Sequence, residues 1–182
     1  PYGLTAYSDL FTNRQLVALT TFSDLVGEAR ERALADALAA GHPAGPRLDG
    51  IAPTDAAGAE AYADAVATYL GLAISRSTDL NNSLATWSSS RDQTRNLFAR
   101  QAIPMAWDFV EVSPFAGAAG DPEVAGDSIA RALEGIGGAL VPGVANQLSA
   151  QEASIVGKVL STDPPYYDNV GYSDLSDFFY VW

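Results

Sequence analysis

The expected fold of this chain depends on one stretch near its C-terminal end. Residues 158–168 read Lys158-Val159-Leu160-Ser161-Thr162-Asp163-Pro164-Pro165-Tyr166-Tyr167-Asp168. A short apolar run followed by a proline-rich corner is typical of a buried strand that ends at a site. Open α/β sheets bind ligands beyond the carboxyl ends of their strands, so the stretch predicts an α/β fold with its site at residues 163–166.

Composition and length favour a globular, cytoplasmic protein. The chain has 182 residues, of which 48% are hydrophobic, and no apolar run approaches the roughly 18 residues of a membrane helix. The absence of cysteine excludes disulfides and thiolate metal sites, and we expect neither a metal nor a membrane partner. Because the chain starts at Pro1 without a leader and stops in the apolar run Phe178–Trp182, we expect an internal fragment, truncated at its C-terminus.

The charge of the chain opposes nucleic-acid binding. Twenty-two acidic residues against ten basic ones give a net charge of -12. Such a surface repels phosphate at long range. We therefore expect any strong contact with DNA to come from regions outside this fragment.

Local signals predict a mainly helical portion over residues 1–140. Thr12 and Gln15 form a capping box at the start of a helix of about 28 residues that ends near Gly41. A second helix is expected over residues 54–76, and a third over Pro122–Ile136, with Asp121 as its cap and proline at its first position. A further capping box at residues 90–93 predicts a short helix that ends before residue 104.

Residues 141–182 are expected to be the strand-rich part of the α/β domain. A strand or extended segment is predicted at Met105–Val112, and short strands are predicted at Val144–Leu148 and Lys158–Thr162. The last of these leads directly into the proline-rich corner. Residues 1–140 would then be a helical insertion in, or extension of, that domain.

The corner has the chemistry needed to present an exocyclic amine for methylation. The amino nitrogen of a nucleobase is a poor nucleophile because its lone pair is delocalised into the ring. If the Asp163 carboxylate and the Pro164 carbonyl accept its two hydrogens, the lone pair becomes available. Two prolines fix the backbone, and Tyr166 offers a flat face on which a flipped-out base can stack.

The same residues carry a resemblance to a known family. Asp163-Pro164-Pro165-Tyr166 matches the D-P-P-Y motif of the amino-group DNA methyltransferases. The wider stretches 10–16, 100–109 and 163–182 resemble large bacterial, phage-defence-associated adenine-specific DNA methylases that carry an N-terminal domain of unknown function.

The resemblance implies a partial Rossmann-like, doubly wound methyltransferase domain with a large helical N-terminal portion. It implies a parent enzyme that transfers a methyl group from S-adenosylmethionine to the exocyclic amine of adenine in DNA. Asp163, Pro164, Pro165 and Tyr166 would be its catalytic motif, and other phage-defence proteins its partners. The choice of adenine over cytosine comes from the family alone. The glycine-rich donor loop is expected upstream of Pro1, so the cofactor-binding residues stay unassigned and the isolated fragment is expected to be inactive. The segment Phe115–Gly120 imitates such a loop only loosely, since its second glycine comes one residue late.

Alternative interpretations remain open at several positions. The stretch 164–167 also satisfies the P-P-x-Y pattern that proline-reading domains bind, so the chain is alternatively a non-catalytic helical interaction module whose Pro-Pro-Tyr-Tyr stretch is a peptide ligand or a structural turn. The apolar residues on either side of the stretch argue against a disordered ligand. The polar segment 77–90 is either a surface connection or a place for substrate contacts. The only histidine, His42, and the acids Asp168, Asp174 and Asp177 fit solvated positions better than a catalytic or metal site.

Overall fold

The computed structural model describes residues 3–48, 58–98, 103, 105–136, 148–164, 166–167 and 171–182. In chain order its regular elements are a 3-10 helix at Tyr7–Leu10, α1 (Asn13–Ala39), α2 (Ala59–Thr78), β1 (Thr86–Ser88), β2 (Gln93–Arg95), α3 (Pro122–Ile136) and α4 (Tyr172–Tyr180). The described part is therefore mostly helical, with one small sheet.

The expected α/β fold is wrong for this part of the chain. A Rossmann-like, doubly wound domain needs parallel strands joined by crossover helices. The described residues contain instead one two-stranded antiparallel sheet, in which Trp87 of β1 lies opposite Thr94 of β2. The domain boundary expected near residue 140 stays a prediction.

The strands expected from apolar runs are absent from the described residues of those runs. Neither 105–112 nor 158–162 is a strand, and 144–147 lie outside the described residues. A strand is stable only when its backbone groups pair with a neighbour. Within the described part of the chain, residues 105–112 form one backbone hydrogen bond of this kind, from the Val110 amide to the Ala85 carbonyl at 2.8 Å.

A hairpin replaces the short helix that was expected after residue 90. β1 and β2 enclose the turn, and the Arg91 amide donates to the Ser88 carbonyl at 3.2 Å. Asp92 closes the turn with φ of +50°, a left-handed conformation that aspartate tolerates better than most residues. The polar residues read as a helix cap therefore serve as turn residues.

The capping box predicted for α1 is confirmed. The Thr12 amide donates to Gln15 Oε1 at 2.8 Å, and the Gln15 amide donates to Thr12 Oγ1 at 3.3 Å. At the other end Gly41 has φ of +90°, and the His42 amide donates to the Ala37 carbonyl at 3.1 Å. Reciprocal capping and a left-handed glycine satisfy backbone groups at both ends of the helix.

α1 and α2 form a helical hairpin held by an ion-pair network. Arg30 Nε donates to Asp64 Oδ1 at 2.7 Å, and Arg30 Nη2 donates to Glu60 Oε2 at 2.7 Å. Arg47, in the connection between the helices, also binds Asp64, from Nη2 at 3.1 Å. The Leu48 amide donates to the same carboxylate at 3.0 Å. Asp64 thus joins both helices to the segment between them.

The hydrophobic core lies at the N-terminal end of α1. Leu10, Phe11, Leu19, Leu97 and Phe178 are buried together there. Phe178, in α4, is only 1% exposed. The core therefore joins residues from both ends of the described chain. None of the helices in the described part combines the length and hydrophobicity needed to cross a bilayer.

Candidate functional site

The described residues of the D-P-P-Y corner, Asp163, Pro164 and Tyr166, lie on the surface outside any helix or strand. Asp163 and Pro164 are exposed, and the Tyr166 side chain is 68% exposed. Pro165 lies outside the described residues. Tyr167 is 97% exposed and has φ of +28°, an uncommon conformation for an aromatic residue.

The chain after this corner is fixed by α4. Phe178 contacts the rings of Phe11 and Phe98, with centroids 6.0 and 5.1 Å away. The Tyr7 hydroxyl donates to the Asp174 carbonyl at 2.7 Å. Only residues 168–171 separate Tyr167 from α4, and a chain spans at most about 3.6 Å per residue. The corner is therefore held within about 18 Å of an anchored helix.

Asp163 and Tyr166, the two side chains that could bind a base, are both accessible to solvent. A carboxylate in water can accept hydrogen bonds from an incoming amine, and an exposed ring can stack with a planar group. The cavities of about 820, 330 and 150 Å³ are lined by other residues. The side chains of Asp163 and Tyr166 are therefore accessible at the surface.

The loop Phe115–Gly120 is tied to the start of α3 by Asp121. Asp121 accepts from the amides of Gly117 and Glu123, both at 2.9 Å. Two amides near this helix start are therefore already bound by a carboxylate of the chain itself. The strand expected before this loop did not form.

Asp121 performs the capping role that the sequence predicted. It is buried and precedes Pro122, the first residue of α3, as expected. A carboxylate at this position satisfies free amides of the first turn. The loop and the helix start are therefore one structural unit.

Two asparagines of the polar segment 77–90, Asn81 and Asn82, have a structural role. Asn81 Nδ2 donates to the carbonyls of Ser77 at 3.0 Å and Gly120 at 2.7 Å. Asn82 is fully buried, and its Nδ2 donates to the Thr78 carbonyl at 3.1 Å. Buried amides with their partners satisfied hold the end of α2 against the start of α3. They are not available to a substrate.

The remaining candidates are dispersed. His42 is exposed at the edge of the 820 Å³ cavity between α1 and α2. Asp174 and Asp177 are exposed on α4, and Asp168 lies outside the described residues. Burial, and then the charges of Asp177 and Asp174, raise the pKa of Tyr7. Within the described ranges, no group of three or more side chains is arranged to hold a metal ion.

Among the described residues, Asp64 is the acid whose pKa departs furthest from its ordinary value, and sequence reasoning missed it. Hydrogen bonds from Arg47 first, then from Arg30 and the Leu48 amide, lower the pKa of Asp64 to about 2 although burial opposes them. The available signal was a pair of acids four residues apart, Glu60 and Asp64, in the alanine-rich stretch 59–68 of α2. Because all the partners are structural, the network indicates stability and not catalysis.

Comparisons of the chain with protein-family models, with curated proteins and with solved structures gave no match.

Proposed function

We propose that this chain is part of an S-adenosylmethionine-dependent DNA methyltransferase that modifies the exocyclic amine of adenine. The proposal rests on the D-P-P-Y motif and is supported by one observation. Asp163 and Tyr166 are both exposed and close in sequence, so a flipped-out base can reach a carboxylate and a ring together.

In this proposal the corner orients the amine. The Asp163 carboxylate and the Pro164 carbonyl accept the two amine hydrogens, which localises the nitrogen lone pair. Tyr166 stacks on the base and holds it in the plane that these two acceptors define. Such stacking contributes on the order of 1–3 kcal/mol to binding of the base. Asp163 is thus a catalytic residue of the parent enzyme, and Tyr166 binds its target base.

The rest of the reaction is assigned to other parts of the parent protein. Because Asp121 already binds the Gly117 amide of the loop Phe115–Gly120, we assign the binding of S-adenosylmethionine to another part of the parent protein. The net charge of -12 assigns the DNA contact to other regions as well. The isolated chain is then inactive, and the parent acts in the bacterial cytoplasm, alongside other phage-defence proteins.

One observation favours a second function, that of an interaction module. Val159 is 100% exposed and Leu160 is 62% exposed, so the flanking residues expected in a core are accessible. A proline-tyrosine stretch next to exposed residues is accessible to a proline-reading domain. The two functions use different tyrosines, because the D-P-P-Y motif ends at Tyr166 and the P-P-x-Y pattern ends at Tyr167.

This difference gives a decisive experiment on the full-length parent protein. Methyl transfer to DNA is measured for Tyr166→Ala and Tyr167→Ala, which remove neighbouring exposed rings from the same segment. The methyltransferase proposal expects a loss of about 5- to 100-fold for Tyr166→Ala, because base stacking is lost, and little change for Tyr167→Ala. The ligand alternative expects the reverse pattern in binding to a proline-reading domain.

Asp163→Asn tests the carboxylate directly. We expect methylation to fall by about 100-fold or more, with donor affinity unchanged by calorimetry, since the variant keeps the shape of the side chain and loses its charge. Glu152→Gln, at another exposed acid of the same segment, is the matched control. Full activity of Asp163→Asn would remove the proposal.

A further inference from the structure

An exposed apolar arm, residues 155–160, projects from the chain before the D-P-P-Y corner. It begins with a turn in which the Lys158 amide donates to the Ile155 carbonyl at 3.1 Å and Gly157 has φ of +72°. Val156 at the tip is 88% exposed, and Val159 is 100% exposed. An apolar cluster with this much accessible surface marks an interaction site.

A matching concave surface, the alanine groove, lies between α1 and α2. Its volume is about 820 Å³, and its walls include Ala33 and Ala37 of α1 and Ala61 and Ala65 of α2. Ala33 and Ala65 are partly exposed in this lining, whereas Ala37 and Ala61 are buried between the helices. Asp36 is an exposed acid in this lining.

We infer that the apolar arm of one copy of this chain docks in the alanine groove of a second copy. The arm offers branched apolar side chains on a defined turn, and the groove offers an apolar lining with space for them. Charge selects the pairing: Lys158 is the only lysine of the sequence and lies among the apolar residues of the arm, while the groove carries Asp36. The inference is independent of the proposed methyltransferase function.

The arrangement has consequences for assembly. Arm and groove are different surfaces, so the contact is head-to-tail and each copy keeps one free arm and one free groove unless a ring closes. Two copies that each carry a charge of -12 also repel one another at long range. Moderate salt should therefore strengthen the association, because it screens this repulsion more than the short Lys158–Asp36 contact.

Zero-length cross-linking tests the contact at residue level. Equal amounts of ¹⁴N- and ¹⁵N-labelled chain are mixed, treated with a carbodiimide and digested, and cross-linked peptides are identified by mass spectrometry. The inference expects a Lys158–Asp36 link with the mixed isotope pattern of an intermolecular contact. A link found only within one isotope label would assign the arm to the groove of its own copy and overturn the inference, as would its absence.

Sedimentation measurements test the energetics. Val159→Asp should weaken self-association about tenfold or more, because a charge replaces a side chain that becomes buried. Val17→Asp, at an exposed valine of α1 away from both surfaces, is the matched control and should change little. Lys158→Glu should also weaken association, and combining it with Asp36→Arg should restore it. A monomer at all concentrations, or equal effects of both valine variants, would refute the inference.

Discussion

Phe178→Ala is expected to destabilise the protein by about 3–5 kcal/mol. The side chain is 1% exposed and its ring lies 5.8 Å from that of Tyr7 and 6.0 Å from that of Phe11. Phe98 and Phe179 add ring contacts with centroids at 5.1 Å each. Removing the ring takes the central member out of this cluster and leaves a cavity that the surrounding rings can fill only in part.

The expected loss is a large share of the total stability of a typical domain, about 5–15 kcal/mol. Urea unfolding followed by circular dichroism measures it, and hydrogen exchange over residues 172–180 shows whether α4 opens first. Tyr180→Ala removes a 91% exposed ring from the same helix and should cost less than about 0.5 kcal/mol. A loss below about 1 kcal/mol for Phe178→Ala, or equal losses for both variants, would refute the argument that this ring anchors α4.

Two further predictions concern other parts of the fold. Because the pKa of Asp64 falls from 3.8 to about 2 on folding, its stabilising effect is complete above pH 4 and is lost as the pH drops through 2. Unfolding measured between pH 5 and pH 2 should show a steeper loss for the wild type than for Asp64→Asn, and parallel curves would contradict this. Gly120→Ala should destabilise by about 1–3 kcal/mol, because φ is +98° and a Cβ would lie 2.6 Å from Val112 Cγ2. Gly126→Ala, in open space within α3, should instead stabilise by about 0.5–1 kcal/mol, and equal thermal shifts in the two glycine variants would count against the clash.

Helices whose ends carry their own signals could be predicted from the sequence. The capping box at Thr12 and the pair Asp121-Pro122 fixed the starts of α1 and α3, because both devices act within one turn. α2 ends at Thr78, close to the expected residue 76, but it begins at Ala59, after the non-helical Gly58, and not near residue 54 as expected. Local chemistry was sufficient for the starts of α1 and α3.

Structure that depends on distant partners was not predicted correctly. The apolar run 158–162 looked like a strand, but no strand pairs with it in the described part of the chain. α4 was not predicted because its helical pattern is short. Leu175, Phe178 and Phe179 follow the three- and four-residue spacing of a helix over little more than one turn. The exposure of Asp163 and Tyr166 also depends on the packing around them, which sequence spacing does not give.

The closing of the core by α4 has a consequence for synthesis on the ribosome. Tyr7 and its partner Asp174 are 167 residues apart in the chain. Translation at roughly 5–20 residues per second separates their appearance by about 10–30 s. During that interval Tyr7 and Phe11 lack Phe178 of α4, the ring that they contact in the folded protein. We therefore expect the nascent polypeptide to bind chaperones that recognise exposed apolar segments.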